Sequence, residues 1–99
     1  MNSIELALDL LDHHISIARD AASDFDRAAL FAASTILVRD MEAKLPEDDG
    51  YASEKLEQVR GHICAMIGYD IDNGHDIHMH HSWALGAMAS LRSCFGKRE

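Results

Sequence analysis

The sequence predicts an all-α protein: an antiparallel up-down-up-down bundle of four helices, arranged as two helical hairpins. Three observations carry this. Apolar residues recur at steps of four and three along four separate stretches. One proline and six glycines leave few places to turn, which suits long helices over a strand-rich fold. The clearest break, Leu45-Pro46-Glu47-Asp48-Asp49-Gly50, falls near the middle of the chain. A length of 99 residues is expected to make one domain, residues 1–99. The same spacing also fits a second arrangement, in which the hairpins splay and complete their core in a dimer.

The first helix is predicted from Ser3 to Ala22. Asn2 and Glu5 stand at capping-box spacing before it. Ile4, Leu8, Leu11, Ile15, Ala18 and Ala22 form its apolar stripe, widened by Leu6, Ala7 and Leu10. Glu5, Asp9, Asp12, Arg19 and Asp20 occupy the far face. Ser23 and Asp26 give a second capping signal, and the second helix runs from there to Lys44. Its stripe is Ala28, Phe31, Thr35, Val38 and Met41 or Leu45. No charge lies between Arg27 and Arg39, and the alanines there let a neighbouring helix approach closely.

The third helix is predicted from Ala52 to Asp70, on Leu56, Val59, Ile63 and Met66 or Ile67. Asp72-Asn73-Gly74 reads as a tight turn. The segment from Asp70 resembles a calcium loop only in passing. Its glycine comes one residue early, and His81 stands where the bidentate glutamate belongs.

The fourth helix is predicted from His75 or Asp76 to Gly96. Ile77, His81, Ala84, Leu85, Met88, Leu91 and Phe95 form its core side. No Asp, Glu, Lys or Arg occurs between Asp76 and Arg92, so the outer side is uncharged too. A helix that is apolar nearly all round must be covered on most of its circumference. Met79, Trp83, Gly86, Ala87 and Ser90 are therefore predicted to bind a partner, with a homodimer across a twofold axis as the simplest case.

Formal net charge is −8, which disfavours nonspecific nucleic-acid or membrane binding and suits a basic partner. The N-terminus is acidic where a secretory signal is basic, and the uncharged run of the last helix is shorter than the ~18–20 residues a bilayer needs. A cytoplasmic location is expected. Cys64 and Cys94 read as reduced thiols, roughly 20 Å apart in the bundle and so beyond disulfide reach.

No catalytic residue is assigned. Ser82 follows His81 directly, so on a helix the two point about 100° apart. Cys64 and His62 likewise lie on different faces, and no glycine-rich phosphate loop occurs. The primary expectation is a small acidic helical interaction module, regulatory or adaptor in type, that binds itself or another protein and needs no cofactor.

Two alternatives stand beside it. His14, His62 and His81 fall at roughly one level of the bundle, with His78 one turn from His81. Converging imidazoles of this kind suit zinc, iron, nickel or copper. No H-E-x-x-H or Glu-x-x-His motif supports them. The second alternative is an acidic mimic of a phosphate backbone, built from Glu47-Asp48-Asp49 with Asp9, Asp12, Asp20, Asp24 and Asp26.

Overall fold

The computed structural model describes residues 3–45, 49–68 and 76–96. They form helices α1 (Ser3–Ala18), α2 (Asp24–Ala43), α3 (Gly50–Met66) and α4 (Ile77–Gly96). Together these make a four-helix bundle, with no strand among the described residues. Each helix packs on its neighbour in sequence. α1 closes the ring against α4 and also reaches α3 across the middle, whereas α2 and α4 stay apart. The two hairpins are joined within one chain and do not splay. Asn2, residues 46–48, residues 69–75 and the residues after Gly96 lie outside the described residues, as do the expectations placed on them, the turn expected at residues 72–74 included.

Local chemistry sets the helix ends. Ser23 is extended, and its side chain accepts a hydrogen bond from the Asp26 amide at 3.0 Å, which starts α2. That requirement shortens α1. Predicted to reach Ala22, it stops at Ala18, because residues 19–22 must turn to bring Ser23 into its capping conformation. Tight bonds from the Asp20 amide to Ile17 and from the Ala21 amide to Ala18 close the final turn. The Arg27 guanidinium then donates to the carbonyls of Ala21 and Ala22. α3 starts earlier than expected, at Gly50, since the Asp49 carboxylate accepts from the Ala52 amide at 3.2 Å. It also ends earlier, at Met66, because Gly68 adopts a left-handed φ of 81°. Asp76 begins α4 by accepting from the Met79 amide at 2.9 Å.

α3 and α4 are the most closely packed pair. Ala52, Leu56, Val59, Ile63 and Met66 meet Ala84, Ala87, Met88 and Leu91, all buried. Leu8, Leu11, Ile15 and Ala18 of α1 and Leu30, Val38 and Met41 of α2 complete the core. Cys64 is buried and Cys94 partly covered, and both thiols are free. No helix among the described residues is long and apolar enough to cross a membrane.

The orientation of α4 corrects the expected one. Its core side is His80, Ala84, Ala87, Met88, Leu91 and Phe95. Leu85 and Ile77, expected inside, are exposed, and Ala87, expected on the outer strip, is 6% exposed. The helix is turned toward α3, where small Ala84 and Ala87 allow close approach. A charge at Ala87 would therefore enter the chain's own core. Ala87→Arg should cost several kcal/mol, on the order of 3 or more. Leu85→Arg should stay within about 0.5 kcal/mol of the parent protein. Urea denaturation of both variants checks the orientation, and the reverse ranking would refute it.

Candidate functional site

Two places combine polar chemistry with restricted exposure. The first is an open groove between α1 and α2. One section, of about 440 Å³, is bounded by His13, His14, Ile17, Asp20, Asp26 and Leu30, with Ala21, Ala29 and Ala33 between them. A second, of about 370 Å³, continues it past Leu10, Ile36, Leu37 and Asp40. His14 and Ala33 line both.

The groove exists because alanines face α1 where larger side chains would fill the space. The exposed side of α2 beside it is apolar. Phe25, Ala29, Ala32 and Ile36 follow one another at steps of four, three and four, of which Ala29 and Ile36 line the groove, and Phe25 is 80% and Ile36 69% exposed. Leu6, Leu10 and Ile17 are exposed along α1. No Lys or Arg lines either section, whereas Asp20, Asp26 and Asp40 do. Sequence reasoning assigned Leu6 and Leu10 to the core and left Phe25 and Ile36 without a role. The uncharged run from Arg27 to Arg39 was the signal for this surface.

At the floor of the groove His14 shares a 2.9 Å hydrogen bond with the buried Ser34 hydroxyl of α2. The second place lies on the α3–α4 seam. There the Nδ1 atoms of His62 and His80 face each other at 3.0 Å. His80 is 8% exposed. The Trp83 ring lies against both imidazoles, tilted to His62 at a centroid distance of 5.6 Å and edge-to-face with His80 at 5.5 Å.

The four histidines predicted as ligands are thus not brought together. His14 belongs to the α1–α2 contact, and His62 pairs with His80, which was not among the candidates. His78 is exposed and His81 half-buried. Among the described residues no group of three or more His, Cys, Asp or Glu side chains could hold a metal ion. The turn of α4 presents His80, not His81, to His62.

The outer strip of α4 keeps Met79, Trp83, Gly86 and Ser90 and loses Ala87. Trp83 is 41% exposed, and its ring already lies against the histidine seam. Ser90 is half-buried and donates back to the Gly86 carbonyl at 3.3 Å. Nothing lies within 4 Å of where a Gly86 Cβ would stand, so the fold itself places no demand for glycine there.

Of the mimic set, Asp20 and Asp26 line the groove, Asp49 caps α3, and three others pair with arginines of the chain. Arg92 of α4 pairs with both Asp9 (2.9 Å) and Asp12 of α1, and Asp24 pairs with Arg27. Glu42 and Glu57 meet across α2 and α3. Burial and the neighbouring Glu57 push the Glu42 carboxyl up. Burial also opposes charge on Glu57, yet hydrogen bonds from Glu42 and Arg60, with the charges of Arg60 and Arg39, hold it below its ordinary value. Neither residue lines the groove. No protein-family model, no curated protein and no solved structure matches this chain.

Burial, helped by the neighbouring His13, holds the His14 pKa below the ordinary imidazole value. Burial and the facing His80 do the same for His62. An unfolded histidine takes up its proton near pH 6.5, before the folded one does. The stabilisation is therefore complete above about pH 6.5 and is lost as pH falls through the depressed folded values. Thermal midpoints should hold above about pH 6.5 and drop from there toward about pH 5, and His62→Gln should remove part of that slope. Circular-dichroism melts across the range check this; a flat profile would show that the buried imidazoles carry no such linkage.

Proposed function

We propose that the protein is a small acidic interaction module whose α1–α2 groove receives a basic amphipathic helix of a partner protein. One observation supports this above the others: an apolar groove whose lining carries carboxylates and no Lys or Arg. A helix laid in a groove inserts its apolar face and leaves its polar flanks at the rims. Here Leu10, Ile17, Leu30, Ile36 and Leu37 would meet the apolar face, and Asp20 and Asp26 the Lys and Arg of the flanks, Asp40 being paired with the chain's own Lys44. The formal charge of −8 adds attraction at longer range and speeds encounter at low salt.

The strip Met79, Trp83, Gly86 and Ser90 is the other candidate surface, and it would serve self-association. It offers less. Its only large aromatic ring already lies against the chain's own histidines, while Phe25 and Ile36 have no such internal duty.

α1 holds 16 residues. A labelled amphipathic peptide of about 16–18 residues, Leu on one face and Lys on the other, would match its length. It should bind at micromolar concentration, more weakly as salt rises. Ile36→Asp with Ile17→Asp should reduce affinity by at least about tenfold, or 1.4 kcal/mol. Gly86→Ala should leave affinity unchanged. Fluorescence anisotropy reads the binding, and light scattering reads the oligomeric state of the free protein. Affinity indifferent to the groove substitutions would sink the proposal. A dimer broken by Gly86→Ala would move the interaction surface to α4.

A further inference from the structure

We propose that His62 and His80 form a two-imidazole chelate for a divalent first-row transition ion, Cu(II) foremost, across the α3–α4 seam. Their Nδ1 atoms are already 3.0 Å apart and face each other. An ion binding imidazole nitrogen at about 2.0–2.1 Å holds two cis nitrogens about 2.9 Å apart in a square plane and about 3.3 Å apart in a tetrahedron. The spacing of the pair stands between these values, and each lone pair, now aimed along the line between the two nitrogens, has to swing by about 35–45° toward the common ion. The ligands come from two rigid helices in the most closely packed pair of the bundle, and their placement needs no folding around the ion.

The pair is held by a hydrogen bond between the two Nδ1 atoms, which requires the Nδ1–H tautomer on one ring. Metal binding needs a lone pair on both. The proton of that ring moves to its own Nε2 through solvent, and neutral imidazoles bind the ion with no net release of protons. His62 is only partly buried, which leaves a path for the ion and for water. Among the described residues no third His, Cys, Asp or Glu joins the pair.

Trp83 has two consequences for such a site. Its ring, 5.5–5.6 Å from both imidazoles, shields one side of the ion from solvent. It is also the only tryptophan of the chain. A bound Cu(II) ion would quench its fluorescence, whereas Zn(II) would occupy the same nitrogens without doing so. The ordinary affinity order of divalent ions for nitrogen ligands places Cu(II) above Ni(II) and Zn(II).

Other histidines provide the controls. His78 and His81 are one turn apart on α4 and more exposed than His80, so they could chelate an ion at the surface. The test is a titration of the full chain with Cu(II) alone, following Trp83 fluorescence. Saturable quenching at one equivalent is expected, reversed by excess Zn(II). His62→Ala and His80→Ala should each weaken it at least tenfold. The double variant His78→Ala/His81→Ala should keep it. Quenching that survives His62→Ala, or that disappears with His78 and His81, would overturn the site. Electron paramagnetic resonance of the unaltered protein at one equivalent of Cu(II) gives an answer independent of variant folding. Two equivalent nitrogen couplings support the chelate, and fewer than two refute it.

Discussion

Close packing between α3 and α4 is the constraint on which the remaining arrangement depends. It rests on small side chains. Ala84 and Ala87 of α4 let its backbone come near a stripe of Leu56, Val59 and Ile63. Turning α4 far enough to bury Ala87 also turns His80 inward and Leu85 outward. The histidine pair is thus a product of helix rotation as much as of histidine content. A buried imidazole needs a partner, because an unmet polar group in the core costs about 1–3 kcal/mol. His62 supplies that partner.

The α1–α2 side is built on a different principle. Alanines again face the neighbouring helix, but no long complementary stripe fills the space they leave. The outcome is an open groove and not a closed seam. The polar contact there, His14 with Ser34, fixes the two helices at one level without closing the space around it. At the corner between them, Arg27 replaces missing helical hydrogen-bond donors by reaching back to two carbonyls. A single residue thus serves the end of one helix and the beginning of the next.

Much of this was legible in the sequence, and the reason differs from residue to residue. Ser23 and Asp26 announced α2 because a cap is decided within four residues. Leu11, Ile15, Val38, Leu56, Ile63 and Leu91 were found in the core because each lies at the centre of a regular stripe. Gly68 was passed over, since a glycine inside a periodic run can be read as helix, and only its left-handed backbone shows the stop. α4 was turned wrongly for a physical reason: a helix without charges from Ile77 to Leu91 carries no strong preference for one face. Its orientation is set by what α3 can accommodate. Every expectation that depended on that angle, Ala87 on the surface and His81 at the histidine level included, moved with it. The exposed Phe25 and Ile36 went unread because they stand off the regular stripe of α2, spaced by alanines that mark no face.

The ion pairs from Arg92 to Asp9 and Asp12 bear on the order in which the bundle is assembled. Arg92 and Asp9 are 83 positions apart in the chain, whereas His62 and His80 are 18 apart. Closing the longer loop costs about 1.3 kcal/mol more in chain entropy. The α3–α4 hairpin can form from nearby segments, while α1 must find a helix at the far end of the sequence. Contacts so remote in sequence give their return only after that closure. By the same measure the α1–α2 pair is local, since His14 and Ser34 are only 20 positions apart. The remote contact is the seam between α1 and α4, so the groove can take shape within its own hairpin before the two hairpins close on each other.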